Sequence, residues 1–258
     1  MLKGIYLLPS LITTANLGVG FLSILFSING QLTQAAWCII IGIVLDMTDG
    51  RVARMTNTTS TFGLELDSLS DLVSFGVAPA ILMYQLMLNV MGKPGLAIAL
   101  FYCIAGALRL AKYNVKAHLG ETGGDFVGLP IPGAAGILAS FVLSYELFEM
   151  GGEINVKTIP MIMQKMPMLF KMLPAAMVII SFLMLSNVPY SAFKKLHLNR
   201  PKSLQLLILV VITILLILTY PQNTIFLIFT LYLLSGVFLY LLRYWRLRKT
   251  RTDTTTCN

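Results

Sequence analysis

Asp46, Asp49, Asp67 and Asp71 fall within one 26-residue stretch, DMTDGRVARMTNTTSTFGLELDSLSD, set between two oily segments. Their spacing makes them converge. Asp46, Asp49, Gly50 and Ala53 stand at i, i+3, i+4 and i+7, one face of a helix. Gly63, Asp67 and Asp71 stand at i, i+4 and i+8, one face of the next. The link RMTNTTSTF is short and polar, so the two helices are predicted to form an antiparallel hairpin with all four carboxylates at similar depth. A carboxylate at the bilayer centre costs about 2.5–3.5 kcal/mol, so something cationic must offset these groups. An oxygen-only cage suits Mg2+, Mn2+ or Ca2+ rather than zinc. Gly50 and Ala53 leave the helix face open, and Gly63 lets a flat group approach the backbone. Arg51 and Arg54 lie at the turn, where a second anionic group would meet them. Metal ions, an open face and arginines together suggest a diphosphate site running two-metal phosphoryl chemistry. Two other readings stand beside it: carboxylates paired with Lys or Arg, and a cation-transport site.

These residues need helices to hold them, and the chain is built for helices in lipid. Of its 258 residues 57% are apolar and only 12% charged, about half the usual charged share of a soluble domain. Runs such as LQLLILVVITILLILTY and IFLIFTLYLLSGVFLYLL match a hydrocarbon core about 30 Å thick. The periodicity predicts spans near 8–27, 33–55, 62–90, 96–115, 129–148, 170–187, 203–220 and 224–243. Pro79 falls inside the third, where it is expected to kink the helix or end its first half. Thr13, Thr14 and Asn16 make the first segment too polar for a signal-peptide core.

The net charge of +8 is explained by topology. With the N-terminus in the cytoplasm, only Lys93, Lys157, Lys165 and Lys171 fall on the outer side, which leaves 19 − 4 = 15 Lys and Arg inside. That bias orients the protein and meets anionic lipid heads; no nucleic-acid partner is expected. Cys38, Cys103 and Cys257 are scattered, and His118 and His197 are isolated in loops, so neither type forms a ligand set. The break near 149–169 reads as an interfacial amphipathic piece. The last two spans are less polar than the rest and read as scaffold or a dimer surface. The tail from about 249 to 258 is polar.

The string Asp46-x2-Asp49-Gly50-x2-Ala53-Arg54-x8-Gly63-x3-Asp67-x3-Asp71 resembles the signature of the CDP-alcohol phosphatidyltransferase family, with every fixed position present. SFGVAPA (Ser74 to Ala80), ALRLAKYNV (Ala107 to Val115) and FVGLPIPGAAG (Phe126 to Gly136) are similar to the bacterial and archaeal serine-using branch of that family. LPSLITTANLGVGFLSI is similar too, with Ser10 where relatives often have Asn. The resemblance implies an all-α membrane bundle: a six-helix core over about 1–190, two further helices over 191–248, and the tail. It implies transfer of a phosphatidyl group from CDP-diacylglycerol to L-serine, giving phosphatidylserine and CMP. Asp46, Asp49 and Asp67 would be ligands of Mg2+ or Mn2+, two ions in all. Asp71 would be general base and ligand of the second ion. Gly50, Ala53, Arg54 and Gly63 would contact the CDP moiety, with Thr13 and Asn16 at its cytidine or ribose end.

Serine's carboxylate wants a cation, and Arg109 and Lys112 at the end of the fourth span offer one, with Arg109 the deeper. Positive-inside anchoring explains both equally well. Ser74 either lines the serine pocket or packs helices. The GLPIPGAAG run lets the fifth span approach the site. The resemblance also implies a homodimer in the inner membrane of a prokaryote, with both termini and the site on the cytoplasmic side. The rival readings keep the chemistry with glycerol 3-phosphate or inositol phosphate as acceptor, or give an intramembrane prenyltransferase or a divalent-cation transporter.

Overall fold

The computed structural model describes residues 7–55, 60–118, 126–150, 166–186, 189–190, 215–216, 219 and 222–236. Eight helices carry the described chain: α1 (Leu7–Ile28), α2 (Leu32–Met55), α3 (Thr61–Asp71), α4 (Ala78–Leu86), α5 (Lys93–His118), α6 (Ile131–Met150), α7 (Met166–Leu185) and α8 (Gln222–Gly236). Ser10–Ile28, Leu32–Val52, Thr61–Leu86 and Lys93–Lys116 are long and apolar enough to cross a membrane. Large side chains such as Phe21, Val44, Leu100 and Phe182 face outward, as lipid permits. The inner seams hold small residues that let backbones close up, since lipid gives no hydrophobic drive between helices. Of the span expected at 203–220 only residues 215–216 and 219 are described; residues 151–165 of the break expected near 149–169 lie outside the described residues, as does the tail.

The expected kink at Pro79 takes a different form. Helix α3 runs into a π-helical turn, Leu72–Val77, in which the Ala78 N–H bonds back five residues to the Val73 carbonyl. Pro79 then sits in the first turn of α4, where its missing N–H costs least. In a regular α-helix the Phe75 carbonyl would receive that N–H. It accepts the hydroxyl of the fully buried Tyr102 on α5 instead, at 3.1 Å. A neighbouring helix thus satisfies the group that proline frees.

Helix α1 is central to the site. It ends in a tight turn through Gly30 (φ 77°), where the Gln31 N–H caps the Phe26 carbonyl. It packs along α2 and also against α3, the π turn and α4. A Cβ at Gly20 would lie 2.8 Å from the Ser74 Cα, so α1 and the π turn meet nearly backbone to backbone. The hairpin of α2 and α3 is therefore open: α1 bridges the two, which scarcely touch each other along their length.

One departure from an all-helical chain is a two-residue antiparallel pairing, Phe126–Val127 with Pro189–Tyr190. The segment entering α6 runs beside the end of α7, and the Leu129 N–H bonds the Leu183 carbonyl at 3.0 Å. The helix end leaves carbonyls unpaired, and this extended backbone takes one up. Gly128, at φ 86°, makes the approach possible, since a Cβ there would lie 2.6 Å from the Met184 carbonyl oxygen.

Candidate active site

The acidic faces predicted from spacing do meet. One ligand oxygen from each of Asp46, Asp49 and Asp67 lies within 4.8 Å of the other two. Asp46 and Asp49 stand one turn apart on α2, and Asp67 faces them from α3. Asp67 Oδ1 is buried without a hydrogen-bond partner among the described residues. Three oxygen donors at this spacing, one of them an orphaned acceptor, fit a hard divalent cation. Asp71, one turn beyond Asp67, is outside this trio and almost wholly buried. It lies in electrostatic range of the other three carboxylates and of the Arg109 guanidinium on α5.

Helix α1 supplies the hydrogen bonds that hold two of these carboxylates. Thr13 Oγ1 donates to Asp49 Oδ2 at 2.9 Å, and Asn16 Nδ2 donates to Asp71 Oδ1 at 3.4 Å. Both donors are buried. Their backbones are held in turn from the opposite helix: Ser70 donates to the Thr13 carbonyl at 3.0 Å and Ser74 to the Asn16 carbonyl at 2.9 Å. The i, i+3 pair on α1 thus interlocks with an i, i+4 pair flanking Asp71. Thr13 and Asn16, expected at the cytidine end of a nucleotide, turn their donors onto the carboxylates. Asn16 Oδ1 is buried without a partner and lies against α2, 2.9 Å from where a Cβ of Gly42 would be.

Ser74, offered by the sequence either to serine or to helix packing, lies where the π turn meets α1. It is fully buried, with its hydroxyl bonded to α1 and its Oγ against Gly20. Gly63 sits in the first turn of α3, where its N–H bonds the capping Ser60 Oγ at 3.0 Å and a Cβ would crowd that oxygen at 3.2 Å. Gly50 is half-buried one residue past Asp49. Ala53 and Arg54 are on the last turn of α2, and their side chains lie outside the described residues. Lys112 is exposed on α5, while Arg109, a turn deeper, buries its Nε.

Sequence reasoning missed three groups. Ser70 carried no signal except its register with Asp71. Ser68, beside Asp67, exchanges hydrogen bonds with Asn114 of α5 at 2.9 and 3.2 Å. Tyr232 of α8 lies in electrostatic range of Arg109. The last helix, read from the sequence as scaffold or dimer surface, packs Tyr232 and Phe229 against glycines of α6. Small residues seat the start of α6 on one side and α8 on the other. Ile131 packs 2.7 Å from where a Cβ of Gly106 would be, which draws α6 to α5. Gly133 and Gly136 instead receive the rings of Tyr232 and Phe229 of α8.

Residues 6–185 match the CDP-alcohol phosphatidyltransferase family. The chain belongs to that family. A Helicobacter pylori protein named CDP-diacylglycerol–serine O-phosphatidyltransferase is 35% identical over 236 residues, 90% of each chain. A Bacillus subtilis protein of the same name is 38% identical over 146 residues, 56% of this chain and 81% of that one. An archaetidylserine synthase of Methanothermobacter thermautotrophicus is 40% identical over 139 residues, 53% of this chain and 58% of that one.

Proposed function

We propose that this chain is a membrane-integral CDP-diacylglycerol–serine O-phosphatidyltransferase. The observation that carries it is the convergence of Asp46, Asp49 and Asp67 with Asp71 set beside them, in a chain similar along 90% of its length to a serine transferase. The oxygen of L-serine attacks the phosphorus esterified to diacylglycerol. The bond from that phosphorus to the CMP oxygen breaks, and phosphatidylserine and CMP leave. Asp71 takes the hydroxyl proton. Its burial and its place outside the trio suit a base that must meet the acceptor.

Asp46, Asp49 and Asp67 would hold Mg2+ or Mn2+, with Asp71 reaching a second ion. Those ions, when bound, offset charge on the diphosphate and on the departing CMP. Thr13 and Asn16 fix the carboxylate rotamers before substrate arrives, so little reorganisation is left for the reaction. Gly50, Ala53, Arg54 and Gly63 line the CDP side. Arg109 takes the serine carboxylate, with Lys112 nearer the surface. The positive-inside bias supports a site and both termini on the cytoplasmic side of a prokaryotic inner membrane. The resemblance supports a homodimer.

A second reading keeps serine and changes the lipid: the archaetidylserine synthase relative favours an ether-lipid CDP donor. The test is CMP release by purified protein with either CDP-lipid and each acceptor in turn, with and without EDTA. Release with L-serine alone, stopped by EDTA and restored by Mg2+ or Mn2+, is the expected result. Release with another alcohol overturns the acceptor, and release indifferent to chelation overturns the metal site.

A further inference from the structure

The Asn16 carboxamide sits in a slot with unlike walls. Its nitrogen donates to Asp71 Oδ1 at 3.4 Å, near the long limit for such a bond. Its oxygen is fully buried, with no hydrogen-bond partner among the described residues. Leaving a carbonyl oxygen dry and unpaired is costly. The reverse orientation would set that oxygen against the Asp71 carboxylate, acceptor to acceptor.

What the oxygen meets instead is bare backbone. A Cβ at Gly42 of α2 would lie 2.9 Å from Asn16 Oδ1, so the missing side chain is what gives the oxygen its place. The same Cβ would lie 3.5 and 3.9 Å from ring atoms of Phe75, which is ordinary contact. A methyl on Gly42 would therefore crowd the Asn16 carboxamide alone. The backbone of Asn16 has nowhere to retreat. Its carbonyl accepts the Ser74 hydroxyl at 2.9 Å, and α1 meets the π turn nearly backbone to backbone at Gly20. The carboxamide end would have to turn, and a bond already at 3.4 Å has no slack. Gly42, Asp46 and Asp49 stand at i, i+4 and i+7. One face of α2 thus carries two carboxylates and, a turn before them, the notch that seats the donor to a third.

We propose that Gly42 is a positioning residue for the general base: the bare backbone at 42 seats the Asn16 carboxamide with its nitrogen on Asp71, and so aims Asp71 at the acceptor hydroxyl. Gly42 itself touches neither substrate. The base on α3 is set by α2, a helix that α3 scarcely touches, through a side chain of α1 lying between them.

This role rests on Asp71 taking the acceptor's proton, as proposed above. The experiment is steady-state CMP release by the full-length wild type, Gly42→Ala, Asn16→Ala, the double variant and Asp71→Asn, with each substrate varied separately and Mn2+ affinity measured alongside. In Gly42→Ala, kcat should fall about 10- to 100-fold. Both KM values and the Mn2+ affinity should stay within about twofold of wild type. A general shift of α2 would instead move Asp46 and Asp49 and weaken Mn2+ binding. In the double variant the methyl enters space that the carboxamide has left. Its kcat should equal that of Asn16→Ala, not reflect the product of two losses. An unchanged kcat in Gly42→Ala overturns the role, as does a matching fall in Mn2+ affinity. Should Gly42→Ala not fold, the double variant decides: turnover equal to Asn16→Ala supports the role, and a further loss overturns it. Full turnover in Asp71→Asn overturns the base assignment and this role with it. Loss of turnover there, with Gly42→Ala intact, overturns the role alone.

Discussion

The carboxylate half of the site and its cationic half are built in opposite ways. The carboxylate half comes from one hairpin and the helix that bridges it. Asp46, Asp49, Asp67 and Asp71 lie within 26 residues, and Thr13 and Asn16 reach them from α1. The cationic half is assembled from afar: Arg109 comes from α5, whose Gly106 takes in Ile131 of α6, and the glycines of α6 in turn take in Tyr232 and Phe229 of α8. Its two acidic faces are brought together by α1, which packs along both α2 and α3. A cluster drawn from three helices depends on how each packs. The first arrangement suits chemistry shared by a family, and the second suits the choice of acceptor.

The sharpest way to break this division is Asp71→Asn. It keeps the shape and removes the base, so turnover should fall about 10^2- to 10^4-fold. Binding of CDP-diacylglycerol, measured by equilibrium partition of labelled lipid, should persist. Retained turnover would remove Asp71 from the base role and leave the two halves without their link. Thr13→Val comes next. It deletes the donor to Asp49 at nearly constant volume and should lower Mn2+ affinity about 10- to 100-fold, read from the free-ion EPR signal. Unchanged affinity would mean that α1 only packs.

A smaller effect is expected where α1 meets the π turn. Gly20→Ala pushes a methyl against the Ser74 backbone and should cost about 1–3 kcal/mol of stability. Gly18→Ala, with nothing within 4 Å of its Cβ position, should be near neutral. Equal melting temperatures in the two variants would deny that the seam is close-packed. Tyr102→Phe should have the least effect: loss of the bond to the Phe75 carbonyl costs about 1 kcal/mol. A larger loss, seen as a fall in both melting temperature and turnover, would show that Tyr102 also holds Asp71 in place through the π turn.

The aspartate trio and the four helices long and apolar enough to cross a membrane were legible because helical periodicity is a local property. Asp46 and Asp49 share a face whatever surrounds them. The form of the Pro79 break was not legible. Proline dictates that the Phe75 carbonyl loses its donor, but the replacement, Tyr102, lies 27 residues on. The roles of Thr13, Asn16 and Ser74 were legible only as polar groups on apolar helices. Which carboxylate or carbonyl each would meet depends on the register of α1 against α3, fixed by the contact at Gly20.

The sequence by itself determined that this chain forms apolar helices bearing two acidic faces one short link apart. Spacing and the intolerance of lipid for unpaired charge suffice for that. Only the tertiary structure decided that Thr13 donates to Asp49 and Asn16 to Asp71, that the Ser74 hydroxyl bonds the Asn16 carbonyl, and that the Tyr232 ring sits on Gly133. These pairings join residues up to 99 positions apart (133 to 232). They follow from how closely helix backbones approach at glycine notches, which no local pattern encodes.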